Sequence, residues 1–567
     1  MNGLSSLDML IFVIYFILVA GYGYWVYHKK KKASITASHD YFLAEGSLTW
    51  WAIGASLIAS NISAEQFIGM SGNGYFVGVA VAAYEWIAAL ALIIIAVWFI
   101  PIYLKNKIYT MPQFLKTRYN ETVSLIMAIF WLFLYVFVNL TSILYLGAIA
   151  ISGLIGPEYL HIVMVALAVF ALIITLGGMK VIGYTDVIQV AVLIIGGFAT
   201  IYFALTIVSE KFGLGRDALA GFKTLMTQAP DHFHMILKKP TDVTPQEDVN
   251  KYLILPGIAM YFAGQWIVNL NYWGCNQYIT QRALGADLQT ARKGILFAGF
   301  LKLMMPIIVM LPGIAAYVLH KNGHLPGLTG MDGAYSAILN FLPSGLKGLA
   351  IAALTAAIVA SLAGKLNSIG TIFTLDIYMK YFKKKNVEST GELAEKNMVL
   401  IGRMVALVAI VLAVIFEWKD LLGISGAGGF TFIQKYTGFI SPGVFAMFIL
   451  GFFWKRTTGT AAVAGLITGF AMAIFFNSFA VSVLGHETIL YTAFKNSDGV
   501  YEIPFLINMG WAFFITMAVM IGISLAGPKI NPKAFELDKT MFKLKPSVIA
   551  MIVATLLILV ALYVKFW

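Results

Sequence analysis

Charge is scarce in this chain of 567 residues: Asp, Glu, Lys and Arg make up 12% of it, against roughly 25% in a soluble globular protein. Cysteine is nearly absent. The single thiol, Cys275, excludes a disulfide framework and a cysteine-based metal site. The signatures of common enzyme classes are missing too, with no P-loop, no HExxH and no nucleophile elbow. Gly21-Tyr-Gly23 lacks a third glycine and a preceding strand. The eight histidines are scattered, and none pairs with another on one helix face.

What the chain has is hydrophobic length. Apolar residues make up 60%, and a bilayer core of ~30 Å needs ~20 of them per helix. Apolar runs predict an all-α polytopic membrane protein of 14 transmembrane helices: 8–27, 48–70, 78–103, 122–153, 160–178, 184–208, 252–272, 292–318, 346–380, 399–418, 426–454, 459–484, 503–526 and 546–566. The first is no secretory signal, because its basic residues, Lys29 to Lys32, follow it. With basic residues at span ends counted to the adjoining loop, the odd-numbered loops hold 24 of the 39 Lys and Arg. That bias predicts a multi-pass protein of the cell (inner) membrane with both termini extracytoplasmic. It accounts for the net charge of +12 as topology and attraction to the lipid bilayer, so no nucleic-acid partner is expected. The longest extramembrane segment, 209–251, is too short for a signalling domain.

Charges within the spans mark function, since each is costly in lipid unless it meets a cavity, an ion or a partner. Glu65 and Glu85 fall within the apolar stretch Trp50 to Phe99. Lys302 and Lys365 lie deep in their helices, where a paired or functional role is expected. Lys435 reads as structural, and Arg403, near a helix end, as a snorkelling residue. Two helices look interrupted. Gly54, Ser56, Ser60, Asn61, Ser63, Gly69 and Gly72 punctuate one, and Pro256, Gly257, Gly264, Gln265, Asn269, Asn271 and Gly274 the other. Broken backbone at membrane depth must line a cavity or be buried in protein. Here each interrupted helix opens a block of five spans, 48–208 and 252–454, as in an inverted-repeat transporter with a midplane site.

The chain resembles the sodium/solute symporter family, in its sugar branch of the sodium/galactose and sodium/glucose type. The resemblance rests on WWAIGASLIASNISAEQFIGMSG (50–72), AAYEW (82–86), VFVNLTSILYLG (136–147), YTDVIQV (184–190), NYWGCNQYITQR (271–282), LNSIGTIFTLDIY (366–378) and IQKYTGFISPG (433–443). It implies a LeuT-like five-plus-five core with discontinuous first and sixth core helices. The expected domains are an N-terminal extra helix and cytoplasmic loop (1–47), a first repeat (48–208), a long extracellular loop (209–251), a second repeat (252–454) and three C-terminal helices (455–567).

The resemblance implies that Asn61, Gln66, Glu85, Asn269, Lys302 and Gln434 bind a sugar. Amides and carboxylates suit hydroxyls, which both donate and accept, and Lys302 and Glu85 can neutralise one another. Met70, Tyr84, Tyr272 and Phe430 are the implied gates. Ala59, Ile62, Ala357, Ala360 and Ser361 are the implied sodium site, with sodium co-transported, and Asp186 an acid on its exit path. Two positions depart from the family pattern: Ala88 and Ala360 stand where serines are usual. Each removes one hydroxyl, and the first leaves the choice among galactose, glucose and mannose types open.

Lys365 lies four residues after Ser361, on the same helix face. Its ammonium can replace or repel a cation there, or pair with Asp186 and leave the sodium site intact; the pairing is the expectation. The function expected is sodium-coupled import of a neutral hexose, by a monomer that is not an enzyme. Proton coupling, sodium independence, and another small polar solute such as sialic acid or an inositol are the alternatives. A carboxylate substrate calls for an unpaired arginine, and the sequence offers only Arg403 within the spans.

Overall fold

The computed structural model describes residues 4–30, 48–262, 264–326, 328, 330–382, 392–419, 421 and 429–567. The protein is helical almost throughout; its one small sheet among the described residues pairs Phe494–Lys495 with Tyr501–Glu502. Eleven of the described helices are long and apolar enough to cross a membrane, or 12 when the pair Gln246–Phe262 and Gly264–Cys275, bent by 82° to each other, counts as one span. Two other expected spans are broken into shorter pieces. The first comprises Trp50–Asn61, Glu65–Met70 and Ser71–Phe76, the second Gly429–Thr437 and Ser441–Phe453. Segment 209–251 is partly helical, with Ala218–Gln228 and the start of Gln246–Ile254.

The first break is built locally. The Trp50–Asn61 helix ends as Ile62 turns to an extended conformation (φ −79°, ψ 108°). Ser63 restarts the chain, its hydroxyl accepting from the Glu65 amide at 3.2 Å. Glu65–Met70 then forms wide i→i+5 turns, a geometry found often at functional sites. The second interrupted stretch bends by 82° between Gln246–Phe262 and Gly264–Cys275, and breaks again at Asn276, which is extended (φ −94°, ψ 131°) between Gly264–Cys275 and Gln277–Leu284.

Small residues let the core helices approach closely. A Cβ on Gly54 would lie 2.8 Å from the Gly294 carbonyl, so Trp50–Asn61 crosses Leu288–Val309 backbone to backbone. The Leu346–Thr371 helix is buried along almost its whole length. Its N-terminus is capped from outside: Asp8, on the first helix Ser6–Lys30, accepts from the amides of Gly345 (2.7 Å) and Gly348 (2.8 Å). A carboxylate there complements the helix dipole.

Three arginines serve helix ends. Arg118 donates to the carbonyls of Gly451, Trp454 and Thr457 at 2.8–3.0 Å. Arg292 reaches those of Ala96, Met541 and Lys543. Arg403 donates to Leu176 O at the end of Leu160–Thr175. Lys435 pairs with Glu502 at 2.7 Å. On another surface His232, buried, bonds to the Tyr75 carbonyl through Nε2 at 3.0 Å and stacks on Tyr317. Its backbone seats against Gly78 (φ +88°), where a Cβ would meet the His232 carbonyl at 2.4 Å.

Candidate substrate and ion site

One cavity gathers all six expected sugar ligands, Asn61, Gln66, Glu85, Asn269, Lys302 and Gln434, with the gate candidates Tyr84 and Tyr272 and the substituted Ala88. The broken segment 61–66, the start of Ala83–Ile94, the Gly264–Cys275 helix, the centre of Leu288–Val309 and the Gly429–Thr437 helix each bring polar side chains to it. Lys302 donates to both Glu85 and Asn61 Oδ1, and its ammonium lies 5.2 Å from the Trp273 ring centre. A buried ammonium in this position is neutralised by its carboxylate. Asn61 Nδ2 donates to the Tyr272 hydroxyl at 3.0 Å, which ties the cavity wall to the ring.

Met70 is fully buried and does not line the cavity. The Phe430 side chain lies outside the described residues. Sequence reasoning named Asn271 only as a mark of the interrupted helix and passed over Asn139, Trp273, Asn276, Thr437 and Ser441, all on the lining with it. Asn139 was findable as a lone amide in an apolar run, on wide turns at Leu134–Leu140. Gln66 Oε1 and Asn271 Oδ1 are buried and accept no hydrogen bond within the protein. A polyol would satisfy such acceptors, and buried polar atoms ordinarily have partners.

Ala59, Ile62, Ala357, Ala360 and Ser361 are buried and lie off the cavity lining, on Trp50–Asn61, its C-cap and Leu346–Thr371, two helices that pack together. The Ser361 hydroxyl donates to the Ser60 carbonyl at 3.0 Å. A helix end leaves its last carbonyls without intrahelical partners, so this junction offers oxygens suited to a hard monovalent cation.

The expected Lys365–Asp186 pairing does not occur. Lys365 donates to Ser361 Oγ at 2.9 Å and sits 4.4 Å from the Tyr278 ring centre. Asp186 instead accepts from Ser56 at 2.5 Å and lies 3.8 Å from Arg282. Arg282, read from sequence as a loop residue, is 2% exposed. The Gln277–Leu284 helix turns it inward, beside Gly364, where a Cβ would stand 2.4 Å from its Nη2. Arg282 is thus, like Arg118 and Arg292, an arginine buried inside the protein, and it faces Asp186 rather than the cavity.

The comparisons with known proteins agree with one another. The model of the sodium:solute symporter family matches residues 41–469. A sodium/glucose cotransporter of Vibrio parahaemolyticus is 41% identical, over 100% of this chain and 99% of its own length. The mouse sodium/myo-inositol cotransporter 2 is 31% identical over 83% of this chain and 70% of its own length. Among solved structures, a sodium-coupled sialic acid symporter in a substrate-bound, outward-open state superposes with a TM-score of 0.75 at 20% identity, covering 93% of this chain and 99% of that one. The polytopic helical fold, the family match and the full-length likeness leave one assignment: the chain belongs to the sodium:solute symporter family.

Proposed function

We propose that the chain is a sodium-coupled symporter that imports a neutral hexose by alternating access, and not an enzyme. The observation that carries this reading is the convergence of Asn61, Gln66, Glu85, Asn269, Lys302 and Gln434 on one cavity. The full-length likeness to a sodium/glucose cotransporter supports it. A neutral substrate fits because Lys302 is paired with Glu85 and no arginine is among the cavity-lining residues given above. A site built to bond hydroxyls rejects analogues that lack them. Ala88 lines the cavity without a hydroxyl, which bears on the choice among galactose, glucose and mannose types.

In this reading sodium binds at Ala59, Ile62, Ala357, Ala360 and Ser361. Tyr84 and Tyr272, with Phe430, close over the sugar, and Asp186 borders the ion's exit. The protein is a monomer of the cell membrane with 14 spans, both broken segments among them, and both termini outside. Its repeats span 48–208 and 252–454. One charge crossing 100 mV releases about 2.3 kcal/mol, and a tenfold sodium gradient adds about 1.4 kcal/mol. Together these support sugar accumulation of about 500-fold. The test is uptake of radiolabelled galactose, glucose, mannose, myo-inositol and sialic acid into proteoliposomes, with sodium, lithium and proton gradients imposed in turn. Uptake of a hexose driven by sodium alone is the expected result. Uptake driven by protons, or of sialic acid alone, would overturn the reading.

A further inference from the structure

The Ser361 hydroxyl sits in a relay of three groups. It donates to the Ser60 carbonyl and accepts from the Lys365 ammonium. Lys365 is 2% exposed, and Arg282 and Glu65 are the charged groups that act on it. Arg282 is engaged with Ser56 and Asp186. Glu65 shares the cavity wall with Lys365, and its Oε1 is buried without a hydrogen-bond partner. The ammonium therefore rests on a hydroxyl while a carboxylate with spare capacity faces the same cavity. The Ser60 hydroxyl, next to the same junction, is also buried and unpartnered.

Sodium and an alkylammonium are both monovalent cations that want oxygen, and like charges repel strongly in a desolvated site. They cannot share the Ser361 hydroxyl. We infer that Lys365 is an internal competitor for the sodium-binding oxygens: sodium takes Ser361 only as the ammonium moves to Glu65. This rests on the sodium-coupled reading above and adds a specificity-determining residue to it. It also joins the ion to the sugar, because Glu65 immediately precedes Gln66, and both lie on the wide-turn segment that lines the cavity. An ion pair formed at Glu65 would fix that segment where Gln66 meets a sugar hydroxyl.

The test is sodium binding to the purified full chain, read by radiolabelled sodium and by sodium-induced shifts in melting temperature, without any transport assay. Lys365→Met should lower the half-saturating sodium concentration about tenfold, equal to about 1.4 kcal/mol. Lys365→Arg, which keeps a cation, should not lower it. Glu65→Gln should raise it, since the displaced ammonium then lacks its carboxylate. Unchanged or weaker sodium binding in Lys365→Met overturns the inference. Should that variant not fold, an unaltered sodium requirement in Glu65→Gln overturns it instead. Saturable sodium binding in Lys365→Met but not in the unaltered protein keeps the competition and overturns the sodium-coupled reading. Binding in neither overturns both.

Discussion

Asn61 donates to the Tyr272 hydroxyl at 3.0 Å while its own oxygen accepts from Lys302. One amide thus links the charged pair of the cavity to the aromatic ring beside it. Tyr272→Phe removes that acceptor, at a cost of about 1 kcal/mol. The half-maximal sugar concentration for uptake should rise about fivefold, and an unchanged value would mean the ring does not position Asn61.

The Lys302–Glu85 pair is buried at 1% and 3% exposure. Loss of one partner leaves a lone buried charge, which costs about 3–5 kcal/mol. Lys302→Met and Glu85→Gln should each lower the melting temperature more than the double variant does, and all three should abolish uptake. Gln66→Ala should abolish uptake with the melting temperature preserved. Near-normal transport by these variants would remove the sugar site from this cavity.

Ser361→Ala deletes the only hydroxyl at positions 360–361. Uptake assays across a sodium series should show a higher half-maximal sodium concentration, by about tenfold. No change would place the ion elsewhere.

Asp186 couples to Arg282 and Ser56 rather than to Lys365. In melting experiments Asp186→Asn and Arg282→Met should be non-additive, with coupling on the order of 1 kcal/mol. Asp186→Asn and Lys365→Met should add. Additivity in the first pair and coupling in the second would reverse the assignment.

Burial pushes the His232 imidazole below its ordinary range, against a smaller opposing effect from the bond to Tyr75. Lys251 lowers it further, while Glu247 and Asp231 act the other way. The unfolded chain then takes up a proton near pH ~6.5 that the folded protein resists. The contribution is fully present above that pH and is lost as the pH falls below it. His232→Gln keeps an amide donor for the Tyr75 carbonyl and removes the titration. It should flatten the fall in melting temperature between neutral and mildly acidic buffer, and an unaltered slope would assign the acid sensitivity to another group.

The long helices and the first break were legible because apolar length and clustered small polar residues act locally. Glu85 and Lys302 were legible as a pair because each is costly alone at that depth. Distances between helices were not. Residue spacing puts Lys365 and Ser361 on one face, but it does not say which residue of another helix stands opposite, and Asp186 proved to face Arg282. Arg282 itself looked like a loop residue because the short Gln277–Leu284 helix that turns it inward is not apolar. Met70 stays off the cavity lining at the end of a segment of wide turns, which shift side chains out of the 3.6-residue phase on which a sequence reading relies.

The Asp8 carboxylate seated on the amides of Gly345 and Gly348 makes the first helix a passenger of the helix that carries Ser361 and Lys365. Much of that first helix presents an exposed face, including Leu10, Ile17 and Leu18. A spectroscopic label there would ride with the ion-bearing helix and report its displacement from the periphery, without a probe ever entering the transport path.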